Sequence, residues 1–510
     1  MTALCLQVNG PPAGTQRDPG DIVLLMRDHV RFYLNGRPQT VRGGAAFATL
    51  TEYLRAGQRL VGTKVVCAEG DCGACTVLVG RVTDGKVRYL PVDACIQFLY
   101  QLDGTHVITV EGLTRNGELH PVQQALVDHH GSQCGYCTPG IVMALAGWAA
   151  DGAPADPAAA RIALTGNLCR CTGYLPILDA AAALAVGLED STHPTNRYHF
   201  PEMLAAMRSL TGDPLQLTEG RRTFFAPTTL DEAVAFKAEH PDAVIVAGAT
   251  ELGVLRNKKN VEPRTLLSLA RVPGLGVMSY ADGRIVFGAN VTWSQVERAV
   301  REPLPEFHRI VQRFGSPQIR NVATLVGNVA HGSPIADSLG LLSVMDAELE
   351  LVSVRGVRQR SINGFYTGYK QKDLAADELI ARVALPLPAA GERLRLYKVS
   401  RRFDLDIATF GAAIRVRVED GFVRDAALAF MGVAPTVVRL PEAERFLGGR
   451  PFDEVTFRQA GRIARSEVRP ISDVRGGREF RERLAENILT KFYFDETAAY
   501  GSCQGGAAVH

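Results

Sequence analysis

Cys67-Ala-Glu-Gly-Asp-Cys72-Gly-Ala-Cys75 decides how the first part of this chain is built, and nineteen residues separate its last cysteine from Cys95. A C-x4-C-x2-C run with a distant fourth cysteine is the spacing with which four thiolates hold a 2Fe–2S cluster. The intervening residues suit that task. A loop wrapped around an anionic cluster must aim backbone N–H groups at sulfur, and small residues allow the close approach. Four thiolates can also hold structural zinc, but zinc sites favour paired short spacings over a glycine-laden x4 gap.

A second group follows, Cys134-Gly-Tyr-Cys137 and, after thirty-one residues, Cys169-Arg-Cys171. Taken alone, CxxC followed by CxC is ambiguous between zinc and iron–sulfur and leans to zinc. Two features favour the cluster. Pro139 and Tyr174 open apolar helical stretches, and helix N-termini stabilise thiolate-bound anions. Gln133, Thr138, Asn167 and Thr172 flank the cysteines as candidate hydrogen-bond partners. Cys5 and Cys503 lie in the tails and read as free thiols.

The rest of the composition is ordinary. The 510 residues suggest three or four domains. Lys and Arg number 56 against 54 Asp and Glu, which leaves no nucleic-acid footprint. Hydrophobic content of 46% excludes wholesale disorder. No apolar run approaches the ~18 residues of a membrane span. Met1 to Gly10 lack a basic stretch leading into an apolar one, so no secretory signal is expected. Eight of ten cysteines sit in two tight groups, which points to metal in a cytoplasmic protein rather than a disulfide scaffold.

Around the first cysteines, Val30–Leu34 and Arg37–Val41 flank Asn35-Gly36, a hairpin signature. Phe47–Leu54 reads as a short helix, Thr76–Val79 and Val87–Leu90 as a strand pair, and Val107–Val110 as a closing strand. His120-Pro121, Thr138-Pro139 and Asp156-Pro157 each place proline where a helix can begin, with Thr138 and Asp156 as caps, and Tyr174–Leu188 makes a fourth helix. Beyond Phe225, short β runs alternate with helices, for example Ala243–Ala247, Ile285–Phe287, Glu348–Val354 and Ala426–Phe430. Gly80–Lys86 nearly matches a phosphate loop, but Val87 stands where Ser or Thr must bind magnesium. No G-x-G-x-x-G opens a helix after a strand, so a Rossmann site has no support. His129-His130 and the basic pairs Lys258-Lys259 and Arg401-Arg402 read as solvated surface. In Val244-Ile-Val-Ala-Gly-Ala-Thr-Glu-Leu-Gly253 a β-branched strand runs into small residues, a turn whose amides can cradle a pyrophosphate; an ordinary strand-to-turn junction reads the same way.

Three strings together are recognisable. Cys67–Cys75, Gln133-Cys-Gly-Tyr-Cys-Thr-Pro-Gly140 and Gly166-Asn-Leu-Cys-Arg-Cys-Thr-Gly-Tyr174 resemble the iron–sulfur half of the molybdenum hydroxylases, and within them the small subunits of the bacterial xanthine dehydrogenase family. The resemblance runs from about Asp21 to Glu496. It implies a multidomain α+β chain with a flexible arm (1–21), a β-grasp ferredoxin-like plant-type 2Fe–2S domain (22–108) and a four-helix 2Fe–2S domain (109–190). After a linker (191–218) would come an FAD domain of the vanillyl-alcohol-oxidase type (219–392), a small C-terminal α+β flavoprotein domain (393–500) and a tail (501–510).

The resemblance also implies site residues. Ile245, Val246, Ala247, Gly248, Ala249, Thr250, Glu251 and Leu252 would wrap the FAD pyrophosphate, with Thr324 and Asp337 as further FAD contacts. Asp337 suits sugar hydroxyls, because a carboxylate accepts their hydrogen bonds. Phe314 would lie against the flavin nucleotide, Ile380 near adenine, Lys398 near the isoalloxazine, and Tyr369 where NAD meets the flavin. The function implied is electron transfer from a molybdenum subunit through two 2Fe–2S clusters to FAD and then to NAD as acceptor, in the oxidation of hypoxanthine and xanthine to urate. On this resemblance the residues up to His510 would be taken up by these domains, and no site for molybdopterin is expected among them. A large partner subunit would hold it, in a heterodimer paired into a dimer of heterodimers, and this chain would carry no catalytic residue for purine hydroxylation. A different molybdenum hydroxylase, acting on aldehydes or aromatic acyl thioesters, would share these parts, and a zinc-stabilised scaffold is the reading from another class.

Overall fold

Asn35 and Gly36 both take positive φ, 49° and 80°, as a type I′ turn requires. They join β1 (Val30–Leu34) to β2 (Arg37–Val41). With β3 (Thr76–Thr83), β4 (Lys86–Asp93) and β5 (His106–Ile108) they form one sheet, ordered β2-β1-β5-β3-β4. The expected closing strand, β5, is therefore in the middle, parallel to β1 and antiparallel to β3. Its three residues are all buried, as a strand covered on both faces must be. The expected Phe47–Leu54 helix is divided. A 3₁₀ turn (Gly43–Phe47) precedes an α-helical turn that starts at Leu50, where Thr49 and Glu52 close a capping box. The Gly80–Lys86 segment is the β3–β4 hairpin and leads into no helix.

The structure is a computed structural model, and it describes residues 26–504 apart from 84, 115, 152–156, 185–197 and 199–200. The expected arm (1–21), Cys5, the Asp156 cap, residues 191–197 and 199–200 of the expected linker and the end of the tail lie outside the described residues. The rest of the expected linker carries the helix Pro201–Thr211 and the start of the strand Leu215–Glu219.

After a short helical turn, Val110–Leu113, four longer helices follow the sheet: Pro121–Asp128, Thr138–Ala150, Pro157–Ala163 and Leu175–Leu184. Proline takes the first or second position of the first two, where its missing N–H costs nothing. Cys137, not Thr138, is the N-cap of the second; Thr138 has already turned helical and its hydroxyl bonds Ser132. Ile141 to Ala146 are buried on every face, which makes this the central helix of the domain.

The third region carries two sheets. One has β6 (Leu215–Glu219), β7 (Arg222–Ala226), β8 (Val244–Val246) and β9 (Thr265–Ser268), ordered β6-β7-β9-β8 with β9 parallel to both neighbours. The other is antiparallel, with β10 (Met278–Ala281), β11 (Arg284–Gly288), β12 (Glu348–Ser353), β13 (Gly356–Ser361) and β16 (Leu379–Pro386), ordered β10-β11-β16-β12-β13. Between β13 and β16 a small hairpin, β14 (Tyr366–Gly368) and β15 (Gln371–Lys372), carries Tyr369. The last region is the antiparallel sheet β17 (Glu392–Val399), β18 (Phe410–Glu419), β19 (Phe422–Met431) and β20 (Val438–Arg439). Helices Pro441–Leu447, Glu454–Glu467 and Arg478–Gln504 pack against it.

The first sheet and the β6–β9 sheet share a core. Phe32, Leu99, Leu217, Phe224 and Leu266 belong to one buried cluster, and Tyr100 stacks between Phe98 and Phe224. Asp103, nearly sealed from solvent, pairs with Arg27 at 2.5 Å and with Arg271 across the same boundary. Among the described residues no helix is long and apolar enough to cross a membrane.

Candidate cluster and flavin sites

The first four cysteines converge because β3, β4 and the loops beside them return to one corner of the sheet. Cys67 faces both Cys72 and Cys95, and Cys75 faces Cys95. Ala68, Gly70 and Gly73 all take positive φ, which curls the loop around the sulfurs. The N–H groups of Glu69 and Asp71 then donate to Cys67 Sγ at 3.5 and 3.4 Å. This is the amide arrangement that an anionic thiolate cluster needs. No side chain is possible at position 73, since a Cβ there would stand 2.2 Å from the Gly166 carbonyl oxygen.

The second group is brought together by two loops. Cys134 faces Cys171, and Cys137 faces Cys169. Thr172 donates its N–H to Cys169 Sγ at 3.4 Å, as its position suggests, and the Tyr174 hydroxyl accepts the Cys169 N–H at 2.9 Å. Asn167 does something else: its amide donates to Gly73 O at 3.0 Å, tying this loop to the first one. Leu168 N–H donates to Cys72 O at 3.0 Å, so a cysteine of one group is bonded to the chain neighbour of a cysteine in the other. Cys134 and Cys171 are exposed, whereas Cys75, Cys95 and Cys169 are buried. His129 and His130 are exposed at a helix end.

Beside the first cysteine loop lie two adjoining cavities of about 450 and 830 Å³. Phe314, Gly315, Asn328, His331, Leu405 and Ile407 line both. The smaller is walled by Ile245, by Ala247 to Leu252 and by Thr324. Ala249 adopts φ 57° before the helix Thr250–Lys259, so the turn leaves amides directed to the cavity at a helix N-terminus, where negative charge is favoured. Glu69, Gly70 and Asp71 of the first cysteine loop close the same cavity. Thr324 caps the helix Leu325–His331 through the Gly327 N–H, 2.9 Å away. Phe314 leans on Trp293, ring centroids 4.5 Å apart.

The larger cavity is lined by Asp337, Lys398 and Tyr369. Lys398 Nζ donates to Asp337 Oδ2 at 2.6 Å and to Arg313 O at 3.1 Å. Burial raises the Asp337 pKa, and the Lys398 ammonium opposes the shift. Tyr369 is exposed at the cavity edge, next to Lys370. Glu251 approaches His331 at 3.3 Å, and that contact holds its carboxyl below the usual range.

Two expected residues are not brought to these cavities. Val246 is the buried member of β8 and points into the core shared with the first sheet; alternation along the strand leaves Ile245 and Ala247 at the cavity. Ile380 is buried within β16 and lines neither cavity. Sequence reasoning missed Trp293, Asn328, His331, Leu405 and Ile407. Asn328 and His331 lie four and seven positions after Thr324, one of the FAD contacts the resemblance implied, so that stretch was the available signal. Leu405 and Ile407 arrive from a loop after β17 with no local pattern.

The residues fit the groups the motifs imply: two sets of four thiols, one ringed by amides, and a long two-part cavity with a helix N-terminus at one end and a lysine–aspartate pair at the other. Comparison with known proteins agrees. Residues 32–96 match the 2Fe-2S iron-sulfur cluster binding domain and 109–182 a second 2Fe-2S binding domain. Residues 218–388 match the FAD binding domain in molybdopterin dehydrogenase, and 395–495 the CO dehydrogenase flavoprotein C-terminal domain. The chain is an iron–sulfur and flavin chain of the molybdenum hydroxylase family. Within that family it is similar to the iron–sulfur and FAD portion of the xanthine dehydrogenases. It is 32% identical over 519 residues to xanthine dehydrogenase of Drosophila pseudoobscura pseudoobscura, covering 91% of this chain and 39% of that protein. To xanthine dehydrogenase 1 of Arabidopsis thaliana it is 33% identical over 538 residues, covering 90% and 39%. The chain thus spans about two fifths of the length of the curated relatives it matches. Among solved structures, a carbon monoxide dehydrogenase from Hydrogenophaga pseudoflava aligns with a TM-score of 0.51 and 28% identity, over 53% of this chain and 95% of that one.

Proposed function

We propose that this chain is the electron-transfer subunit of a xanthine dehydrogenase, active on purine only with a large molybdenum-cofactor subunit in the cytoplasm, and that it delivers electrons to NAD. The observation that carries the electron route is the wall shared by Glu69, Gly70 and Asp71, which belong to the first cysteine loop and to the flavin cavity at once. When bound, two 2Fe–2S clusters and FAD supply one-electron carriers that end in a one-to-two-electron converter. Cys67, Cys72, Cys75 and Cys95 hold the cluster nearer the flavin. Cys134, Cys137, Cys169 and Cys171 hold the outer one, where the exposed Cys134 and Cys171 face a partner. The turn Ala247–Leu252 and Thr324 bind the pyrophosphate end. Lys398, held by Asp337, presents its charge to the ring end, and Tyr369 meets the nicotinamide.

The test is compositional and kinetic. Purified chain is expected to contain about four irons and one FAD. It should oxidise NADH with an artificial acceptor while leaving xanthine untouched. Replacing Tyr369 by Ala should weaken NADH use without loss of flavin. Stoichiometric zinc and no colour would end the electron-carrying reading; xanthine turnover by the lone chain would end the need for a partner. If the reconstituted pair acts on aldehydes and not on purines, the family reading stands and the purine assignment fails.

A further inference from the structure

Gln318 is completely buried, lines neither cavity and has no charged partner. It sits on a single helical turn, Pro317–Arg320, which Ser316 caps by accepting the Ile319 N–H at 3.1 Å. On one side this turn holds the flavin wall. Arg320 donates to Phe314 O at 3.1 Å and Gly315 O at 2.9 Å, and Phe314, Gly315 and Ser316 all line the smaller cavity. On the other side it holds both cysteine loops. Gln318 Nε2 donates to Asn167 Oδ1 at 2.8 Å and to Thr76 Oγ1 at 3.2 Å. Asn167 and Thr76 in turn both donate to Gly73 O, at 3.0 and 2.6 Å. Asn167 lies two residues before Cys169, and Gly73 lies between Cys72 and Cys75.

The surroundings leave this amide one arrangement. A Cβ on Gly166 would stand 2.1 Å from Gln318 Oε1, and one on Gly140 would stand 2.1 Å from Gly73 O. Burying a primary amide is unfavourable unless its groups are bonded, and Gln318 Oε1 has no hydrogen-bond partner among the described residues. An apolar side chain of similar size would be cheaper at this position if filling space were its only task. A buried polar network instead selects one geometry among several that packing alone would tolerate.

We infer that Gln318 is a positioning residue, clamping the two cysteine loops to each other and to the flavin wall, and so fixing the spacing across which electrons pass. The inference rests on the proposed cluster and flavin assignment. Two substitutions test it. Gln318→Met keeps the length and removes both donors. Gln318→Glu keeps the shape but sets a carboxylate oxygen against Asn167 Oδ1, two acceptors face to face, so the Asn167 amide must flip to donate to the carboxylate and give up Gly73 O. Three readouts apply: iron and flavin content, magnetic coupling between the two reduced clusters in electron paramagnetic resonance, and the rate at which electrons redistribute between clusters and flavin after a reducing pulse. Both variants are expected to retain iron and FAD, with altered coupling and redistribution slowed several-fold, more in Gln318→Glu. Amide hydrogen exchange over residues 67–75 and 166–172 should be faster in both, a measure of the clamp that needs no redox activity. Variants with full cofactor content and unchanged coupling, redistribution and exchange would overturn the assignment. A wild-type chain without iron would instead overturn the electron-carrying reading, with the exchange result still deciding the clamp. Should Gln318→Glu fail to fold, Gln318→Met decides alone, since an unbranched flexible side chain suits the same space.

Discussion

His106 is held neutral by its neighbours. The Gly36 N–H donates to Nε2 at 3.0 Å, so the ring proton sits on Nδ1, 2.6 Å from the Tyr89 hydroxyl. Burial pushes its pKa down to about 3. Unfolded chain takes up the proton below about pH 6.5, and the folded chain does not. Stability should therefore fall by up to about 1.4 kcal/mol per pH unit between roughly pH 6.5 and 3 from this group. Melting temperatures at pH 7.5 and 5 check it, with His106→Gln expected to flatten the difference. Asp337 was legible as a candidate site carboxylate, and it lines the larger cavity, but its partner was not legible. Lys398 is sixty-one positions away, and only the fold brings it within 2.6 Å. Asp337→Ala therefore does more than remove an acceptor: it strands a buried ammonium, and breaking such a pair costs about 3–5 kcal/mol. FAD content and melting temperature should both fall, and adding Lys398→Met should restore part of the stability. The cysteine groups were readable because ligand chemistry dictates spacing, and the fold draws each group together; that Ile380 and Val246 line neither cavity was not readable, because a buried apolar residue carries no mark of which surface it faces.

The helix Thr250–Lys259 joins two sites. Its N-terminal residues line the smaller cavity, while Asn257 donates to Ala68 O at 3.0 Å and Cys95 O at 2.8 Å. Between them Gly253 lies flat on Ile96, where a Cβ would come within 2.5 Å. Gly253→Ala should wedge the helix off the cysteine loop, and such overpacking costs about 1–3 kcal/mol. The expected outcome is a lower melting temperature together with reduced flavin retention, measured as the ratio of flavin to protein absorbance. Local signals located most elements, since Asn35-Gly36 and the helix-opening prolines act within a few residues. They could not order the strands. Where β5 inserts depends on pairings to β1 and β3, seventy and thirty residues away, and no short-range pattern carries that information.

The ferredoxin-like and flavin regions pack against each other through a shared core, and Asp103 is the electrostatic pin of that boundary. Asp103→Asn leaves Arg27 and Arg271 facing a neutral amide; a loss of about 3–5 kcal/mol at the boundary should follow. The parent is expected to melt these regions together, and calorimetry of the variant should then resolve two transitions. This boundary was invisible in the sequence, because Arg27, Asp103 and Arg271 sit in no motif and are far apart along the chain. The unequal cover of the two cysteine groups sets a lifetime. Cys134 and Cys171 stand in solvent, while Cys75 and Cys95 lie behind the sheet and the flavin-domain helix. Peroxide or a chelator added to the isolated chain should bleach its visible colour in two phases, the fast one belonging to the outer group, because oxidation follows thiolate exposure. A subunit docked over the outer group would merge the phases, so the decay curve of the colour in air becomes a gauge of whether the chain is alone.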